Sequence, residues 1–358
     1  MSESLAGRVQ QAVRGLTPGY FALVMASGIL SIGMHLAGRV TMSLALLVVC
    51  GIAYVSLVVL TLWRLMAYRD AIVDDFIDPG RAFGFFTFIA GTNVFGVRLA
   101  LDGLHTVTAG LLAVAALTWV VLGYVIPWTA VLSRTQRPVI TAANGTWFIW
   151  VVASQSVAAS AATLEPMATG YTRDVLAVVA VFSWSVGVFL YASAGVFVAA
   201  RMLLYELRPI DLSPPYWVAM GAAAITVLAG ARIVEMADAP MVAATRGLIS
   251  GASVVFWAFA TWLIPVLVAA GWWRHWRHHI PLGYEATLWS IIFPLGMYAA
   301  AGLYLGRADH LPIVSGIGHG ELWVAFAAWV LTFVAMVRNL VRTVALPPPA
   351  SRPVPDRD

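Results

Sequence analysis

Ten apolar runs, each long enough to cross a lipid bilayer, constrain this chain more than any other feature. A span needs about 20 predominantly apolar residues. The runs fall at 17–38, 42–66, 82–101, 105–127, 145–164, 174–200, 214–234, 247–270, 284–305 and 320–342. The connections between them are short, so no extramembrane domain is expected between spans. Of the 358 residues 61% are hydrophobic and only 11% are charged, against roughly a quarter charged in soluble domains. A chain of this kind is expected to be an all-α polytopic membrane protein, because a helix satisfies its own backbone hydrogen bonds in lipid.

All 21 basic residues are arginine. If connections alternate from an N-terminus placed inside, fifteen arginines fall on the inner side and six on the outer. The positive-inside rule then puts both termini in the cytoplasm of a cell whose inner (plasma) membrane holds the chain. The basic balance thus reflects topology and carries no argument for nucleic-acid binding. The expected organisation is a cytoplasmic segment at 1–16, a transmembrane domain at 17–343 and a disordered, Pro-rich cytoplasmic tail at 344–358. Arg8 and Arg14 precede the first span as in a signal peptide, but its apolar run exceeds an h-region and reads as a retained helix. The single cysteine, Cys50, excludes an intrachain disulfide.

The odd-numbered spans repeat a pattern: YFALVMASG, FFTFIAGTN, WFIWVVASQ, YWVAMGAAA and LWSIIFPLG. Taking Phe21, Phe86, Phe148, Trp217 and Trp289 as anchors, the fourth residue on is Met25, Ala90, Val152, Gly221 or Phe293. The fifth is Ala26, Gly91, Ala153, Ala222 or Pro294. Small residues by themselves also let transmembrane helices pack closely. The odd spans further carry the strongest polar groups away from span ends, namely Thr92, Asn93, Gln155 with its flanking Ser154 and Ser156, and Thr226. Polar side chains in a bilayer face the bundle interior or water. The expectation is an inner ring of odd helices, enclosed by even ones, around a path that Met25, Ala90, Val152, Gly221, Thr92, Asn93 and Gln155 line. In the ninth span Phe293-Pro294-x-Gly296 breaks the helical pattern. Pro294 leaves the Ser290 carbonyl without its donor, and Gly296 adds flexibility.

The segments FALVMASGILSI, NGTWFIWVVASQSVA and SIIFPLGMYA resemble the tellurite-resistance/dicarboxylate transporter family, over roughly 17–343. That family includes bacterial tellurite-resistance proteins, a fungal malate transporter, fungal sulfite pumps and plant slow anion channels. The resemblance implies five quasi-symmetric hairpins around a central pore, a homotrimer with one pore per subunit, and a phenylalanine in the ninth helix that occludes it. The match places that gate at Phe293. From its residues alone Phe293 reads as a core aromatic between helices.

The implied function is passive transport of small inorganic or organic anions through a pore. Half-helix N-termini at broken helices would favour negative charge there. A proton-coupled carrier for dicarboxylates such as malate is the alternative, though the spans offer no mid-membrane titratable residue. A membrane scaffold without transport is a third reading. No enzyme activity, cofactor or metal site is expected. A nucleotide-driven pump would need a phosphate-loop lysine, and the chain has no lysine.

Arg232 and Glu235 share a helix face at an outer end, as an anion-attracting vestibule or a self-neutralising ion pair. Arg98 and Arg307, also at outer ends, are expected to snorkel to headgroups. The stretch GWWRHWRHHIP at 271–281 reads as a membrane-interface anchor, although His275, His278 and His279 have helical metal-ligand spacing. Asp70, Asp74, Asp75 and Asp78 lie in a mixed-charge segment expected to be solvated. The sequon Asn144-Gly145-Thr146 falls on the cytoplasmic side.

Overall fold

The computed structural model describes residues 5–132, 137–236 and 239–345. Among the described residues there is no strand, and the α-helices are, in order, α1 (Leu5–Arg14), α2 (Ala22–Leu36), α3 (Val40–Ala67) and α4 (Arg69–Ile77). They continue with α5 (Phe86–Ala100), α6 (His105–Ile126), α7 (Phe148–Leu164) and α8 (Gly170–Leu204). The last four are α9 (Val218–Val234), α10 (Pro240–Trp272), α11 (Trp289–Ala308) and α12 (Pro312–Leu340). All but α1 and α4 belong to the ten segments long and apolar enough to cross a membrane, so the chain is an all-α polytopic membrane protein. The spans beginning with α8, α10 and α12 overrun the apolar stretches that mark them, reaching 35, 38 and 33 residues.

The odd spans form the inside. Between 78% and 94% of their apolar windows is buried, against 11% to 39% for the even spans. In the inner layer α2 packs on α5, α5 on α7, α7 on α9, α9 on α11, and α11 closes back on α2. Each inner helix forms a hairpin with the outer helix that follows it, and that outer helix also touches the next inner one. The result is five hairpins around one axis. Residues such as Phe189, Leu117 and Trp262 on the outer layer are exposed, as expected of side chains that lipid covers.

Each inner helix is entered through a 3₁₀ turn: Pro18–Phe21, Ala82–Phe85, Gly145–Trp147, Pro214–Trp217 and Ala286–Leu288. Proline at the start of the first and fourth turns presets the helical φ where no donor is needed. Neighbouring turns touch all the way round, so the repeated aromatic clusters meet at one end of the bundle. Phe83 stacks on Trp147 at 5.0 Å, and Phe21 meets Phe88 edge-on at 5.2 Å. The Tyr20 and Tyr284 hydroxyls join the first and last hairpins at 2.8 Å.

Two segments outside the spans are helical, and one of them differs from expectation. Residues 1–16 contain α1, whose Arg8 Nε donates to the Val344 carbonyl at 3.0 Å. The acidic stretch at 70–78 holds α4, and Asp75 is buried rather than solvated. It accepts from Arg64 Nη1 at 2.7 Å and pairs with Arg81 Nε at 3.0 Å. A carboxylate taken out of water needs such partners, and Arg64 reaches it because α4 folds back on α3. The expected tail at 344–358 lies, from residue 346 on, outside the described residues.

Gly145 fixes the contact between two entry turns, since a Cβ there would collide with the Pro215 backbone carbonyl. Backbone on the other side cannot yield as a flexible side chain would. Gly145→Ala should therefore lower stability by about 1–3 kcal/mol. Gly195→Ala, with nothing within 4 Å of the new methyl, should not lower it. Thermal unfolding of both variants in detergent checks the contrast.

Candidate functional site

Counting on from the five anchors, residues 4, 8, 11 and 15 places along each inner helix share one face, at the 3.6-residue helical period. The 8-place residues are Ile29, Val94, Ser156, Ile225 and Met297, and all five line one cavity. Ile32, Val97, Ala159 and Leu228 line it at 11 places, and Thr163, Arg232 and Tyr304 at 15. A cavity walled by every inner helix lies on the axis of the ring. Its volume is about 20 Å³, enough for about one water molecule.

One turn nearer the entry turns, the same face carries Met25, Ala90, Val152, Gly221 and Phe293. None is more than 2% exposed among the four with side chains, and Gly221 is buried too. Phe293 is the single ring in that layer. Beside it, Pro294 packs against α9 where Gly221 leaves room: a Cβ on Gly221 would stand 2.8 Å from the proline Cγ. Gly296 meets α2 in the same way, its Cβ position lying 3.0 Å from Ile29. Nevertheless α11 runs without interruption from Trp289 to Ala308, although Pro294 withdraws the donor for the Ser290 carbonyl. The expected broken half-helix is not present; the proline and glycine serve close approach between helices.

Polar groups at the cavity are few. Asn93 Nδ2 donates to Ser156 Oγ at 3.0 Å, and the Ser156 hydroxyl donates to Ala153 O at 2.7 Å. Asn93 Oδ1 is buried without a partner. At the far end Arg232 Nη1 donates to Glu235 Oε2 at 2.7 Å, and its guanidinium stands 5.5 Å from the centre of the Tyr304 ring. The Arg232 Nε–H is buried and unpartnered. No acidic residue lines the cavity among the described residues. The donors that the lining residues bring are the Asn93 amide, the Arg232 guanidinium and the Tyr304 hydroxyl, and the unpartnered Asn93 Oδ1 is an acceptor.

Two expected lining residues point elsewhere. Thr92 donates to Phe88 O at 2.7 Å and meets the Tyr54 hydroxyl of α3 at 3.2 Å. Gln155 Nε2 donates to Trp184 O at 3.1 Å, in the α7–α8 seam, where Gly187 makes space for it. Ser156, Thr163 and Tyr304 line the cavity and were not among the expected residues. The signal that identifies them is register: the anchor count, extended along the helix, selects all three without reference to polarity.

Arg98 and Arg307 also depart from expectation. Arg98 is fully buried, with Nε donating to Ser31 Oγ at 2.7 Å and to Ser43 Oγ at 3.2 Å, and Nη1 to Asp102 Oδ2 at 2.8 Å. Arg307 Nη2 donates to Leu36 O at 2.7 Å, capping the last carbonyl of α2. Neither snorkels, since each finds a specific acceptor within the bundle. In the 271–281 stretch, His275 Nδ1 is bonded to Ile280 O at 2.8 Å and His278 meets the Trp273 ring edge-on at 4.6 Å. No group of three His, Cys, Asp or Glu side chains suited to a metal occurs among the described residues.

The comparisons with known proteins decide the family. The model of the voltage-dependent anion channel family, SLAC1, matches residues 15–337. The chain belongs to that family. Its members are grouped with the tellurite-resistance/dicarboxylate transporters that the sequence motifs resemble. An uncharacterized membrane protein of Mycobacterium tuberculosis is 65% identical over 156 residues, 44% of this chain and 79% of that protein. An uncharacterized transporter of Methanocaldococcus jannaschii is 23% identical over 331 residues, 90% of this chain and 92% of its own length. A second transporter of that archaeon is 24% identical over 199 residues, covering 55% and 56%. Family and relatives support anion transport in general terms.

The buried arginine and the axial one should respond differently to removal. Arg98→Ala leaves Ser31, Ser43 and Asp102 without their cation and should cost about 3 kcal/mol, as breaking a buried pair does. Arg232→Ala removes a partly solvated pair and should cost no more than about 1 kcal/mol. Denaturation midpoints of the two variants in detergent measure the difference.

Proposed function

We propose that this protein is a passive channel for small anions and that Phe293 is its gate. The observation that carries the reading is the single aromatic ring in the layer directly beneath a cavity to which all five inner helices contribute. An anion entering from the Arg232 end meets the Arg232–Glu235 pair at the mouth, then the Asn93 amide, and then the ring. A phenyl group filling a narrow apolar waist excludes ions until its rotamer changes, which is hydrophobic gating. The arginine bias supports a cytoplasmic entry-turn end, with the protein in the plasma membrane. The work is transport and not catalysis, it calls for no cofactor, and the assembly is a homotrimer with one pore per copy, as the family resemblance implies.

A second reading has one observation on its side. Glu165, two residues beyond Thr163, is fully buried and paired with Arg173 at 2.7 Å, while its Oε2 has no partner. A buried carboxylate at the outer end of an inner helix is the group that a proton-coupled dicarboxylate carrier would use.

Planar-bilayer recording separates the two. Phe293→Ala should raise anion current roughly tenfold or more, as removal of a hydrophobic constriction does. Reversal potentials in asymmetric salt should show that Arg232→Gln lowers anion-over-cation selectivity by about threefold, since a partly screened charge is lost. Absence of current in both wild type and Phe293→Ala would overturn the channel. Labelled-malate counterflow that a Glu165→Gln substitution abolishes would then establish the carrier, and no flux of either kind would leave a scaffold.

A further inference from the structure

A groove outside the ring calls for an occupant. It lies between α8 and α10 at the entry-turn end and encloses about 610 Å³, a size typical of sites for small organic ligands. Its walls are apolar, with Gly195, Val198, Phe259 and Leu263 among them. The cationic or imidazole groups lining it are Arg274 and His275, and no acidic residue lines it among the described residues.

The internal repeat supplies a control. A second groove, of about 370 Å³, lies between α3 and α6. The two are equivalent by register: Phe21 and Phe148 are anchors, and Phe88 and Ala219 each stand two places past one. In the smaller groove the chain supplies its own filling. Ile72 and Phe76 of α4 line it, and Asp75 of the same helix neutralises the lining Arg64 at 2.7 Å. No helix corresponding to α4 lies between α8 and α9.

Arg274 in the larger groove has no carboxylate partner among the described residues. Its Nη1 donates to the carbonyls of Ile210 and Leu212 at 3.0 and 2.9 Å, and its Nε is buried without an acceptor. The nearest acidic residue along that loop, Asp211, is taken by Arg208 at 3.0 Å and Arg201 at 3.7 Å. The hydrogen bond from Arg208 holds its carboxyl below the ordinary range. Trp272 and Trp276, both exposed beside Arg274, mark this rim as the level of the lipid headgroups.

We propose that the α8–α10 groove is a binding site for an anionic phospholipid of the leaflet at the entry-turn end. The acyl chain takes the place that Ile72 and Phe76 hold in the equivalent groove, and the phosphate faces Arg274 and His275. The carbonyl contacts of Arg274 hold its guanidinium at the rim before the lipid arrives.

Native mass spectrometry of the full chain in detergent tests this, with phosphatidylglycerol and phosphatidylcholine added as probes. Wild type should retain phosphatidylglycerol in preference to phosphatidylcholine. Arg274→Gln should weaken that retention about fivefold, the effect of one basic residue near an anionic surface. Gly195→Trp, placed where a Cβ meets nothing within 4 Å, should abolish retention of both lipids with an unchanged thermal midpoint. Equal retention of the two lipids by all three proteins would overturn the proposal. So would loss of an oligomer in Gly195→Trp with lipid retention intact, because the groove would then be covered by a second copy of the chain.

Discussion

Five helices packed side by side leave at their centre only the space that their facing side chains do not fill. The rest of this structure follows from that closure. Three of the five seams of the ring are narrowed by a glycine that lets backbones approach: Gly91 beneath the Phe21 carbonyl, Gly221 against Pro294, Gly296 against Ile29. Larger residues at these positions would widen the ring. With the seams this tight, the axis admits about one water between the Phe293 layer and the Arg232 end. The outer helices do not share the constraint, and they carry the bulky side chains that face lipid.

How legible this was depends on which property of a residue carries the information. The spans and their inner and outer ranks are written in average apolarity and in the position of polar groups, both of which survive without coordinates. The layer containing Phe293 could be counted from the aromatic anchors, since one face of a helix recurs at fixed intervals. Thr92 and Gln155 were chosen by polarity instead, and polarity does not specify a direction around the helix. Thr92 answers Tyr54 and Gln155 answers the Trp184 carbonyl, partners on outer helices whose register no local pattern reveals. The same blindness hid Arg98. Serine is common enough in spans that Ser31 and Ser43 gave no sign of converging on one guanidinium.

The arginines divide by what encloses them. Arg64 and Arg98 are buried among carbonyls, hydroxyls and carboxylates, so their charge is spent on joining elements and contributes little field on the axis. Arg232 sits at the mouth with Glu235 at 2.7 Å, which leaves a dipole more than a free charge. In the proposed channel such a mouth would draw anions without holding them. A conducting site needs that balance, because an ion bound tightly enough to be selected strongly would also leave slowly. The sparse polar lining, Asn93 above all, fits the same requirement.

In the proposed pathway the opening move is constrained by the packing around Phe293. Pro294 fits against Gly221 with no slack, and α11 contacts α2 and α12 as well as α9. Displacing α11 as a body would break all of these seams at once, which close-packed interiors resist. A change of the Phe293 rotamer breaks none of them. The layer it sits in offers Ala90 and Val152 across the ring, with Met25 and Gly221 on the neighbouring helices, so Met25 is the one large side chain beside it. If the proposed gate operates, the small residues that close the ring thus also leave the phenyl group little to displace, and a single side chain is the cheapest element to move.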